Sequence, residues 1–224
     1  MRREPARGFG GLTSVFLAWL LWFAASGSAR AQSGRGGFAS VEGSAAAIEE
    51  GTRASFTAGI GYRVTPAVGI SMELTFVPTI QPELPSIVPL TTSSVAGVPV
   101  PVPTLSFAAN GGRATIFTTD LRLDVPTGSS RIVPFLVGGA GVGSVTDRWR
   151  ETIGYPIAIP TVVIPTSTES FSRTTNGFAV TLGGGVSVRL GRHFSLDGDL
   201  RYIGVLGDRD LRIGRFGGGM TYQF

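Results

Sequence analysis

The 224-residue chain has no cysteine and no lysine, and it has one histidine, His193. Without cysteine there is no disulfide framework, no thiol nucleophile and no thiolate metal site. A single histidine rules out a multi-histidine metal centre. Every cation is arginine, and nothing local requires it, so we read this as a bias of composition. Long hydrophobic runs are also missing. The longest, centred on residues 15–25, is about ten residues uninterrupted, against roughly twenty needed for a bilayer-spanning helix.

That apolar run follows Arg2, Arg3 and Arg7 and precedes Ala29-Arg30-Ala31, a small-x-small cleavage pattern. The segment reads as a cleaved secretory signal over residues 1–31, with Ala29 and Ala31 at the cleavage site and the mature chain at 32–224. The formal charge of +4 then falls to +1, because four arginines and one glutamate leave with the signal. No remaining stretch gathers basic residues without acids nearby, so nucleic acid is not an expected partner. No cofactor is expected either.

Period-two alternation recurs along the mature chain, whereas helical periodicity is scarce. Phe56, Ala58, Ile60 and Tyr62 alternate with Ser55, Thr57, Gly59 and Gly61. Val68, Ile70, Met72, Leu74 and Phe76 alternate with Gly69, Ser71, Glu73 and Thr75. Similar patterns cover 117–125, 178–190, 194–206 and 216–224. Two segments are less regular. Residues 38–47 pattern weakly, and the Gly-rich 132–146 has an undecided outward face, either Val133-Phe135-Val137 or Leu136-Ala140-Val142. The count is about eight strands.

The connections alternate in length. Residues 65–66, 126–131 and 191–192 form a short set, while 48–51, 77–112, 147–175 and 207–210 form the other, which holds both long segments. Short turns at one end and longer loops at the other are the pattern of bacterial outer-membrane barrels. An even strand count puts both ends of the barrel on the short-turn, periplasmic side.

The terminal strand carries Phe216, Gly218, Met220, Tyr222 and Phe224 on one face. With this ending and the loop parity, the chain resembles the outer-membrane protein β-barrel family, the small barrels similar to the outer membrane protein A transmembrane domain. The resemblance covers roughly residues 38–224. It implies an all-β fold, a single antiparallel transmembrane barrel of about eight strands with two long Pro-rich extracellular loops. It also implies a bacterial outer-membrane location, with membrane lipid and lipopolysaccharide as surroundings. The barrel-assembly machinery would read Met220, Tyr222 and Phe224, although Gly218 stands where the family usually has a larger apolar residue. No peptidoglycan-binding domain is expected to follow.

The inward series is polar rather than a hydrophobic core: Arg63, Glu73, Asp120, Arg122, Asp124, Arg189, Asp197, Asp199, Arg201 and Arg215. Such charges must pair in a poorly solvated lumen, and the planar guanidinium of arginine bridges carboxylates well. A salt-bridged plug is therefore expected over a gated pore. Gly138–Gly143 superficially resembles a phosphate loop but lacks the helix that would hold the phosphate. Strand glycines here would instead make room for long lumenal arginines.

His193 and Ser195, two apart on one strand face, are the only hydrolytic pair to weigh. They lack an orienting third residue and sit beside a short turn on the lumenal face, so catalytic residues are expected to be absent. The loops 77–112 and 147–175 interleave proline with Ile, Val and Leu, and could offer an apolar patch to a surface partner. The expected function is a non-enzymatic envelope-integrity or surface-interaction protein with a largely occluded lumen. The alternative is a small channel or conduit for polar or hydrophobic solutes. A soluble lipocalin-like barrel would reverse the two faces.

Overall fold

The computed structural model describes residues 36–49, 51–85, 94–95, 98–99, 104–125, 127, 131–154 and 167–224. The signal segment with Ala29 and Ala31 lies outside the described residues, as do residues 86–93, 96–97, 100–103 and 155–166 of the two long connections.

Ten strands are present among the described residues: β1 (Gly36–Ile48), β2 (Gly51–Arg63), β3 (Val68–Ile80), β4 (Ser94–Val95), β5 (Val98–Pro99), β6 (Thr104–Asp124), β7 (Ile132–Gly154), β8 (Ser167–Arg189), β9 (Phe194–Gly207) and β10 (Leu211–Gln223). Eight of them close a barrel in the order β1-β10-β9-β8-β7-β6-β3-β2, all pairings antiparallel, and β4 and β5 form a separate two-stranded pair. Closure is made by β1 against β10, from Phe38 opposite Gln223 to Ala47 opposite Gly214. A closed sheet leaves no edge within the barrel wall, so every ladder group there has a partner.

The burial pattern fixes which face is which. Phe56, Tyr62, Ile70, Met72, Leu121, Leu123, Leu182, Val186, Leu200, Tyr202, Phe216 and Met220 are exposed, while Arg63, Glu73, Asp120, Asp199, Arg201 and Arg215 are buried. Ile60, Leu74 and Phe224 face outward but are half-buried. A water-soluble barrel would need the opposite arrangement. In β7, Val133, Phe135 and Val137 are buried and Leu136, Ala140 and Val142 exposed, so its outward face is the Leu136-Ala140-Val142 series. Outward aromatics fall into two groups. Phe56, Phe76, Phe178 and Phe216 stand toward the end with the longer connections, and Tyr62, Phe194, Tyr222 and Phe224 toward the short-turn end. Two such girdles bound the apolar band of a transmembrane barrel.

Two expectations need correction. The long connections are shorter than 77–112 and 147–175, because β3 continues to Ile80, β6 starts at Thr104, β7 runs to Gly154 and β8 starts at Ser167. Proline interleaved with aliphatic residues suggested loop, yet neighbouring strands supply ladders over much of both segments, broken on β6 only between Ala109 and Gly112. β3 has a bulge between Val77 and Ile80, where exposed Pro78 costs no ladder bond.

The second correction concerns the core. The inward series is polar only over part of its height. Ala46, Val77, Ile80, Ala114, Ile116, Val145, Ala179, Ile203, Val205, Leu211 and Ile213 form a buried cluster inside the barrel at the long-connection end. All but Ile80, which lies past the β3 bulge, continue the lumenal parity of their strands, as Ile203 and Val205 do beyond Asp199 and Arg201. The lumen is therefore two-layered, with an apolar plug above an ionic one.

Candidate functional site

The ionic layer is the site that the sequence pointed to, and it is built from two chains of charges, one above the other. Nearer the short-turn end, Arg63 of β2 pairs with Asp124 of β6. Arg122 Nε holds the other oxygen of Asp124 at 2.8 Å, and Arg122 Nη1 reaches Asp197 of β9 at 3.6 Å. The Arg122 guanidinium also lies 3.8 Å from the centroid of the Phe135 ring, a cation–π contact supplied by β7. Thr221 of β10 donates to Asp197 at 2.5 Å.

Above it, Arg201 of β9 pairs with Asp199, with Glu73 of β3 at 2.6 Å and, more loosely, with Asp120 of β6 at 3.7 Å. Arg215 of β10 joins Asp199 and Glu42 of β1, each at 3.2 Å, and donates to Thr57 and Thr75. This second chain ties barrel strands from opposite walls together. Arg215 is 1% exposed, so its charge is stabilised by these partners rather than by water.

Nine of the ten expected lumenal charges are brought into this network. Arg189 is not: it follows the lumenal parity of β8 but is exposed at the short-turn rim, where its backbone N–H bonds to the Arg131 carbonyl. Glu42 belongs to the network and was missed. β1 alternates Ser40, Glu42, Ser44 and Ala46 with Val41, Gly43, Ala45 and Ala47, so the two faces differ little in hydropathy. The weak signal was the single charge in a run of small residues. Asp147 and Arg209 pair at the long-connection rim, where Arg209 also donates to the Gln81 carbonyl at 2.7 Å.

β7 and β8 contribute no charge to the network; they supply space. A Cβ on Gly183 would lie 2.7 Å from Arg201 Cγ, and one on Gly143 would lie 2.7 Å from two methyls of Val205. One on Gly139 would overlap Asp120. The glycine run 138–143 lies inside β7, with no helix after it among the described residues, so its role here is clearance rather than phosphate binding.

Between the two ion chains lies a cavity of 30 Å³, lined in part by Ser40, Glu42, Glu73, Asp197, Asp199 and Arg201. That volume suits one or two water molecules. Glu42 Oε1, Asp197 Oδ1 and Asp199 Oδ1 have no hydrogen-bond partner among the described residues, so this polar pocket is where trapped water would satisfy them.

His193 and Ser195 are not brought together. His193 is exposed beyond β9, where its Nδ1 donates to the Gln223 carbonyl at 2.9 Å and its ring lies 5.9 Å from that of Tyr222. Ser195 is buried in the lumen opposite Thr221. Phe224 closes the seam: its N–H donates to the Gly37 carbonyl at 3.0 Å, and its ring fills the space a Gly37 side chain would need.

No protein-family model and no curated protein matches the sequence. Among solved structures the chain is similar to Neisserial surface protein A, at 18% identity over 86% of this chain and 98% of that one, with a TM-score of 0.43. It is also similar to Ail, the attachment invasion locus protein of Yersinia pestis, at 13% identity over 85% and 97% of the two chains, TM-score 0.46. A major outer membrane protein of Thermus thermophilus gives 13% identity over 84% and 99%, TM-score 0.46. The likeness is one of architecture, while the eight-stranded closed barrel is fixed by this chain's own strand pairing.

Proposed function

We propose that this chain is a non-enzymatic barrel of the bacterial outer membrane, exported with its signal removed, that serves envelope integrity or surface interaction. The observation that carries the proposal is the filled, two-layered lumen inside an apolar outer wall. The wall suits lipid, and the paired charges inside suit a barrel of this small size. An apolar cluster above an ionic layer whose cavity has room for only a water or two leaves no path for a solute. On this reading the alternating Met220, Tyr222 and Phe224 face of β10 is what the assembly machinery engages, and lipopolysaccharide surrounds the end with the longer connections.

The test is conductance of the refolded full chain in planar bilayers. A closed lumen gives no steady channel activity at any applied voltage. Reproducible unitary currents that change size on truncation of Ile203 and Val205 would instead make it a pore.

A further inference from the structure

β6, β7 and β8 run on past the barrel rim as a three-stranded ribbon, and its two faces carry opposite charge. β9 stops at Gly207, opposite Gly177, and β3 stops at Ile80, opposite Gly112, whereas β7 and β8 stay paired out to Ile153 and Ser167. β6 accompanies them through a bulge between Ala109 and Gly112, where Gly111 has a φ of +82°. β7 keeps its parity throughout. Its lumen-side positions in the ribbon are Asp147, Trp149, Glu151 and Ile153, and those of β8 include Glu169, Phe171 and Arg173. All the ribbon's acids are on this face.

The outer face continues the lipid-facing side of the barrel. It carries Arg113 of β6, Thr146, Arg148, Arg150 and Thr152 of β7, and Thr168, Ser170, Ser172 and Thr174 of β8. Arg148 and Arg150 are exposed and Arg113 half-buried, and none of the three forms an ion pair among the described residues. Arg113 is directly opposite Thr146, so it lies diagonally beside Arg148, roughly 7–8 Å away. The outward apolar belt ends just below, at Phe117, Val142 and Phe178, which are cross-strand neighbours. Four residues separate Phe117 from Arg113, roughly 13 Å along the strand. That offset puts Arg113 at headgroup depth on the side of the longer connections, with Arg148 and Arg150 six and eight positions past Val142, farther out along the ribbon.

We infer that Arg113, Arg148 and Arg150, with the hydroxyls between them, form a docking surface for the phosphate groups of outer-leaflet glycolipid. Unpaired guanidiniums on an acid-free face favour phosphate, which arginine holds bidentately. Continuity with the belt means that a lipid packed on Phe117 and Phe178 brings its headgroup to these residues. The inference rests on the outer-membrane reading above and adds to it a site and a ligand class.

The experiment titrates the folded full chain in detergent micelles with lipopolysaccharide, and separately with enzymatically dephosphorylated lipopolysaccharide. Thermal stabilisation is the readout. We expect half-saturation at least ten-fold weaker for Arg113→Gln/Arg148→Gln/Arg150→Gln than for the unaltered chain, and equally weak for the dephosphorylated lipid. Arg192→Gln, at the opposite rim, should bind as the unaltered chain does. Equal binding of both lipids, or by the triple variant, overturns the inference. The lipid comparison requires no variant to fold. If the protein shifts on heating and fractionates with the outer membrane, such a failure counts against this surface alone.

Discussion

Arg215 holds two carboxylates and two threonine hydroxyls from four strands while only 1% exposed. Arg215→Ala would strand Glu42 and Asp199 without that cation, a change that typically costs about 3–5 kcal/mol. Urea unfolding of the barrel in lipid vesicles should show the loss as a lowered midpoint, and an unchanged midpoint would remove Arg215 from the account. Gly183→Val attacks the same layer from the neighbouring strand, β8, by pushing into its cross-strand partner Arg201. Overpacking of this kind costs about 1–3 kcal/mol, and the same assay should register it. The inward charges were legible because a strand's period of two is strict. Which acid meets which arginine was not, since the pairs join residues as far apart as 61 positions for Arg63 and Asp124 and 173 for Glu42 and Arg215. Glu42 escaped because small residues on both faces of β1 give no contrast in hydropathy.

At the scale of elements, strands with a clear apolar face were legible and the ribbon was not. Residues 167–176 read Ser-Thr-Glu-Ser-Phe-Ser-Arg-Thr-Thr-Asn, exposed nearly throughout, and they are strand because β7 pairs with them. Such order comes from a neighbour rather than from burial, so no single-segment pattern announces it. Trp149 tests the placement of the ribbon, since the other two tryptophans, Trp19 and Trp22, belong to the expected signal. Its ring stacks on Phe171 with centroids 6.3 Å apart. In reconstituted protein its fluorescence should be quenched by a water-soluble quencher and not by quenchers fixed at the bilayer centre. The reverse result would place these strands within the membrane.

For the whole molecule, alternation alone could not say which face was inside. The terminal aromatic strand and the parity of the connections favoured lipid outside, and the burial of the charges agrees. The apolar upper lumen was hidden for a related reason: where both faces of a strand are apolar, as around Ile203 to Leu206, period two loses its contrast. The measurement that bears most directly on the account is membrane fractionation of cells expressing the full chain, followed by gels of boiled and unboiled protein. A lipid-embedded barrel closed by β1 against β10 should be found in the outer membrane and change mobility on heating. A soluble periplasmic protein with the same mobility in both lanes would contradict it.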